Sequence, residues 1–170
     1  ILSACSPTRR VQEGEIFLKK QKVRIIDAPD GFEEDVDDLT EVLRQRTNRK
    51  ILIKLRFNLW AYNLVSLERI EKSRDKKRKR RDRRNAKRLI RGKEPLRTEW
   101  QTKWDWLKYT VGEPPVILDT AKTRKSAEQL DIYLHKNGYF NDSISYQIIT
   151  SHDSTRAQIN YEVRPYKAHT

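Results

Sequence analysis

The chain has 170 residues, 36% hydrophobic and 36% charged, which allows one modest core and leaves no run of about twenty apolar residues to cross a membrane as a helix. A single cysteine excludes an internal disulfide. The net charge of +13 is nearly all local: Arg69–Lys93 holds fifteen Lys or Arg against three acids, and the remaining 145 residues sum to +1. The composition is therefore that of an ordinary chain interrupted by one very basic stretch, not of a generally basic nucleic-acid domain.

In chain order, Leu2-Ser3-Ala4-Cys5 comes first. It looks like the end of a bacterial lipoprotein signal peptide, where small residues fit a peptidase cleft and the cysteine thiol takes a diacylglyceryl group. On that resemblance residues 1–5 are a signal remnant with lipidation at Cys5, and membrane lipid is a partner through the acylated cysteine. Residues 6–14 read as a polar tether. Glu15–Asp27 alternates and is β-branched enough for a strand. Ala28-Pro29-Asp30-Gly31 predicts a turn. Phe32–Gln45 then predicts a helix, with Phe32, Val36, Leu39 and Leu43 on one face and Glu33, Glu34 and Asp35 at the positive end of its dipole. Thr47-Asn48 ends it.

Ile51–Ile70 reads as one or two amphipathic helices containing Phe57, Trp60 and Tyr62. The densest cations follow at Lys76, Lys77, Arg78, Lys79, Arg80, Arg81, Arg83 and Arg84, and then an aromatic group that includes Trp100, Trp104, Trp106 and Tyr109. Three readings stand for this segment. Cations flanked by rings suit anionic lipid headgroups or an acidic partner; the run can equally be a solvated, partly disordered face. Phosphate backbones also need only cations in reach, but the aromatics lie outside the run and no zinc, ribonucleoprotein or helix-turn-helix pattern accompanies it, which argues against nucleic acid.

Pro114-Pro115 predicts a stiffened segment. Thr123–Asn137 predicts a helix with Ala127, Leu130 and Leu134 inward, closed by Gly138 as its left-handed cap. Tyr139 and Phe140 are expected to lock that helix onto a sheet. Ser143–Ile149 (Ile144, Tyr146, Ile148) and Ala157–Val163 alternate around His152-Asp153-Ser154-Thr155, predicting an antiparallel hairpin. With the middle set aside, the order is strand, helix, helix, strand, strand, an α+β fold.

Gly112–Asp119, Ser126–Leu130 leading into Tyr133-Leu134, Asn137–Phe140 and Ile159–Pro165 together resemble a POTRA (polypeptide-transport-associated) domain of the BamA/TamA-like outer-membrane surface-antigen family, closest to its Bacteroidetes lipoprotein members. Thr47–Leu52 and Arg56–Asn63 resemble the amino-terminal region of those lipoproteins. The resemblance implies a POTRA-like β-α-α-β-β domain split into 15–50 and 112–165, with residues 51–111 as a basic, aromatic-rich helical insertion and 166–170 as a linker. It implies outer-membrane location on the periplasmic face and work in assembling or inserting outer-membrane proteins. The partners would be unfolded outer-membrane proteins or assembly-complex subunits, with no cofactor or covalent catalysis. The physical route is strand addition at an open sheet edge, for which Ile144, Tyr146 and Ile148 mark the candidate strand. The residues themselves offer no phosphate loop, HExxH or CxxC. His135, His152 and His169 lack metal-like spacing, and Asp35, Asp37 and Asp38 lack the loop glycine of a calcium site, so neither a metal nor catalysis is expected.

Overall fold

The computed structural model describes residues 7, 8, 10–50, 56–97 and 101–166. In chain order the elements are β1 (Phe17–Ile25), α1 (Val36–Glu41), α2 (Phe57–Leu64), α3 (Leu67–Ile90), α4 (Lys103–Asp105, continuing as a π-helical segment Trp106–Val111), α5 (Thr120–Lys136), β2 (Ser143–Thr150) and β3 (Arg156–Arg164). They fall into two compact units. One comprises Arg10–Asn48 and Pro115–Thr170, the other Ile1–Arg9 and Arg49–Pro114. The fold is mixed α+β, with one three-stranded open sheet and several helices.

In the sheet unit the strand order is β1-β3-β2. β1 runs parallel to β3 and β2 antiparallel. Ala157, Ile159, Tyr161 and Val163 of the central strand are buried, and the residues between them are only partly so. That period-two pattern gives the sheet one covered face. Against it pack Leu18 and Val23 of β1, Leu39 and Leu43 from α1 and just beyond, Leu130 and Leu134 of α5, and Tyr139. Each fully buried aliphatic side chain contributes about 1.5–3 kcal/mol. The β1/β3 register slips between Leu18 and Lys20, an irregularity that accompanies two consecutive buried residues, Phe17 and Leu18.

Helix α5 is set by its ends. The Asp119 carboxylate accepts from the Lys122 N–H at 3.0 Å, closing the first turn. At the other end Gly138 N–H donates to His135 O at 3.1 Å and Tyr139 N–H to Leu134 O at 3.0 Å, the paired bonds of a Schellman cap. Gly138 takes φ 91°, as the sequence predicts. The hairpin turn is held by Asp153, whose carboxylate accepts from the Ser151 hydroxyl at 2.5 Å and the Thr155 N–H at 3.3 Å. These bonds draw its pKa down to about 2.

The expected helix over Phe32–Gln45 is shorter, Val36–Glu41. Its start is moved by Asp35, which caps Val36 N–H at 2.6 Å. Its end is moved by tertiary bonds: Arg44 N–H donates to Ser126 Oγ at 3.0 Å, and the Gln45 amide donates to Ile117 O at 2.5 Å. Those partners replace the helical ladder. Phe32 instead tilts against Tyr139, centroids 4.9 Å apart, and Val36 is exposed. Asn48 is buried and accepts from Val116 N–H at 3.0 Å.

In the helical unit, Ser66 caps α3 through Arg69 N–H at 3.2 Å. At 24 residues α3 is roughly 36 Å long, and Ile70 is its one buried residue. The returning chain runs back along it. Arg88 Nε donates to Glu94 O at 2.7 Å, the Asn85 amide exchanges two bonds with the Leu96 backbone, Lys77 Nζ donates to Gln101 O at 2.7 Å, and Arg74 pairs with Asp105. The densest part of the basic run, Lys76–Arg84, lies within this helix.

Two glycines separate strain from crowding. A Cβ at Gly138 would meet nothing within 4 Å, whereas one at Gly112 would lie 2.4 Å from Lys108 O and 2.9 Å from the Tyr62 backbone. Gly138→Ala is therefore expected to cost about 1–2 kcal/mol, through φ alone, and Gly112→Ala more than that. Leu130→Ala should cost about 2–5 kcal/mol. Urea denaturation followed by circular dichroism checks all three.

Candidate functional site

The two outer edges of the sheet differ chemically. Outside the start of β1 lies the segment Val116–Leu118, which bonds through Leu18 N–H to Val116 O at 2.8 Å and Leu118 N–H to Ile16 O at 2.7 Å. β1 also carries Lys19, Lys20, Lys22 and Arg24. Among the described residues no strand lies outside β2. Its sequence, SISYQIIT, has no charge and no proline, the devices that keep exposed edges from pairing. Eight residues give an open ladder of roughly 26 Å, in which alternate residues turn N–H and C=O outward. Ile144 and Ile148 pack on the core. Tyr146 between them is 42% exposed, its ring 6.1 Å from Tyr161. Ser145, Gln147 and Ile149 are exposed on the other face.

Of the residues expected to lock α5 on the sheet, Tyr139 is buried but Phe140 is 61% exposed. Tyr139 is the cap residue that folds back on Leu134. The next side chain points away, and the Phe140 ring lies 5.9 Å from the His135 ring. Pro114 closes one unit and Pro115 opens the other part of the chain.

On α3, Lys76, Arg78, Lys79, Arg80, Arg83 and Arg84 are exposed, while Lys77 and Arg81 are partly covered. Lys72 pairs with Glu68 at 2.5 Å and Arg78 with Asp75 at 2.8 Å. Lys76–Arg80, Lys79–Arg83 and Arg80–Arg84 are like-charge neighbours one turn apart, each unfavourable by about 0.2–0.5 kcal/mol. An anion along this face relieves them. Trp104 is half-buried beneath the Arg69 guanidinium, 4.0 Å from the ring centroid, with Lys103 Nζ at 5.1 Å. Trp106 and Tyr109 are exposed, 56% and 57%. Cys5 and Trp100 lie outside the described residues.

Three residues that hold this unit together escape a reading by composition. Lys108 is buried; its ammonium donates to Tyr62 O at 3.1 Å and Val65 O at 3.0 Å and sits 3.7 Å over the Tyr62 ring. It thereby satisfies carbonyls at the end of α2. Asp105 and Thr102 form a capping box, legible as the T-x-x-D spacing, and Arg74 adds the ion pair. Burial alone would raise the Asp105 carboxyl, but the bonds from Arg74 and Thr102 outweigh it and hold the pKa below the ordinary value.

Among the described residues, one group has the spacing of a metal centre: Asp131, His135 and Asp142, whose ligand atoms all lie within 4.8 Å of one another. No described helix is long and apolar enough to cross a membrane. Comparison with protein-family models, curated proteins and solved structures finds no match to this chain.

A carboxylate held below its ordinary pKa stabilises the fold above its unfolded value of about 3.8 and loses that contribution as pH falls through the folded value. The melting-temperature difference between the native chain and Asp105→Asn is expected to be constant from about pH 5 to 8 and to collapse below about pH 4. Thermal melts across pH measure it.

Proposed function

We propose that the sheet unit is a POTRA-type domain that receives extended polypeptide along β2. On this reading the chain serves the assembly or insertion of outer-membrane β-barrel proteins from the periplasmic face, anchored by an acylated Cys5. The observation that carries the proposal is the edge of β2, uncharged, proline-free and unpaired among the described residues. Strand addition draws on main-chain hydrogen bonds, so it accepts many sequences, as a handler of diverse β-strand substrates requires. The succession β1, α1, α5, β2, β3 within the unit supports the family reading, with the helical unit as its basic, aromatic-rich insertion. Such work asks for placement and an open ladder, and for no covalent chemistry.

A second reading is favoured by α3. Its exposed cations on an ordered helix, with Trp106 and Tyr109 exposed in the same unit, suit an anionic membrane surface, where each cation near the headgroups contributes about 1 kcal/mol. The chain is then a lipid-anchored accessory that docks through its basic insertion and handles no substrate.

The readings separate by experiment. With a photo-crosslinking side chain at Gln147 and, as control, at the exposed Lys125 of α5, an unfolded β-barrel polypeptide is expected to crosslink at 147 and not at 125. Equal capture at both positions, or none at 147, overturns the edge reading. For the second, sedimentation with vesicles containing phosphatidylglycerol is expected to weaken on the order of 100-fold in Lys79→Glu/Arg80→Glu/Arg83→Glu, from three lost contacts of about 1 kcal/mol each, and to weaken with salt. Binding that is indifferent to the substitutions removes it.

A further inference from the structure

The end of α5 holds a group that neither peptide capture nor membrane docking uses. Asp131 and His135 are one turn apart and share a face of the helix. The Gly138 cap then reverses the chain, and Asp142 returns to the same place. His135 Nε2 lies 3.0 Å from Asp142 Oδ1 and 3.7 Å from Asp131 Oδ1. We propose that Asp131, His135 and Asp142 form a binding site for a divalent first-row transition ion of the Zn2+ type.

Three observations converge on it. The first is spacing. Oxygen and nitrogen ligands about 2.0–2.2 Å from a tetrahedral ion stand about 3.3–3.6 Å from each other, and the two measured separations bracket that range. The three ligand atoms all lie within 4.8 Å of one another.

The second is the state of Asp142. Its side chain is 1% exposed, and neither carboxylate oxygen has a hydrogen-bond partner among the described residues; its charged-group neighbour is the His135 ring, with Nε2 3.0 Å from Oδ1. A buried carboxylate left in this condition is costly. A divalent ion brings two positive charges to the two carboxylates.

The third is ligand type. One imidazole with two carboxylates selects Zn2+ and its neighbours over Ca2+ and Mg2+, which take all-oxygen shells. Asp131 and His135 are about half exposed, 49% and 43%, so the remaining coordination position opens to water. Phe140 is beside the His135 ring, which gives this exposed aromatic a task as the wall that orients a ligand. The site ties the end of α5 to the segment that feeds β2, so an ion there would stiffen the start of the edge strand.

The test is calorimetric titration of ZnCl2 into the full chain carrying Cys5→Ser, His152→Ala and His169→Ala, which leaves His135 as the one remaining histidine. One ion per chain is expected, with Kd of about 1–10 µM, a rise in melting temperature, and no competition from Ca2+ or Mg2+. Added Co2+ should give the visible absorption of a tetrahedral or five-coordinate N/O site. His135→Ala and Asp142→Asn are each expected to weaken Zn2+ by about 100-fold, and Asp131→Asn by about 10-fold. Because Asp142 is buried, the exposed His135→Gln serves as the second variant, with its fold checked by circular dichroism. Absence of saturable binding at one ion per chain, or binding that survives His135→Gln unchanged, overturns the site. Binding that needs His135 but neither carboxylate overturns it as well.

Discussion

The parallel pairing of β1 with β3 is the constraint from which the rest follows. Antiparallel neighbours can be joined by a few residues, as β2 and β3 are, but parallel neighbours need a crossover that carries the chain back to its starting end. Here β2 itself makes that return: the chain leaves β1 at Ile25, touches the edge of β1 again through Val116–Leu118, and enters β2 at Ser143 at the same end of the sheet, where Ile25 and Ile144 both pair with Val163. Because β3 takes the central place, the connection from β1 to β2 must pass beyond it, and it includes α1 and α5, which cover one sheet face, and the whole helical unit. A connection that must already be long tolerates further length at small cost, since closure entropy grows only with the logarithm of the loop. That is why a compact second unit can sit within the sequence of the first without dismantling it.

The central strand concentrates the apolar burial, and the edges are left to differ. On β1, four cations and a clipped start discourage new pairing. β2 has neither, and its Ile144 and Ile148 are held inward by the same core that fixes the register with β3. An edge can serve as a template only if its own strand is rigid. The core contacts of β2 therefore matter as much to strand addition as the open hydrogen bonds do.

Much of the sheet unit is legible in the sequence because its signals are local. The alternations Ile144, Tyr146, Ile148 and Ala157, Ile159, Tyr161, Val163, the turn at Asp153 and the cap at Gly138 each depend on neighbours within a few residues. The shortened α1 was not legible, since the bonds that end it, Arg44 to Ser126 and Gln45 to Ile117, join residues more than seventy apart. Phe140 was misjudged because the cap turns Tyr139 back onto Leu134 and leaves the next side chain exposed beside His135. Lys108 was hidden because a lysine in a basic chain gives no sign of burial. The spacing of Asp131 to His135 was visible as a helical pair, but the third group arrives only after a chain reversal whose landing point no periodicity encodes. The basic run was visible as charge, while the side-chain bonds from Asn85, Arg88 and Lys77 to the backbone of the returning chain were not.

An unguarded strand is also a hazard, because a second copy of the same strand satisfies the open ladder as well as any substrate does. The net charge of +13 opposes such pairing, and α3, with thirteen Lys or Arg against four acids, carries +9 of it. That repulsion is long-ranged at low ionic strength and shrinks to about 10 Å at 0.1 M salt. A helix outside the apolar core of the sheet thereby bears on the solubility of the sheet edge, and pairing between copies is expected to rise with ionic strength.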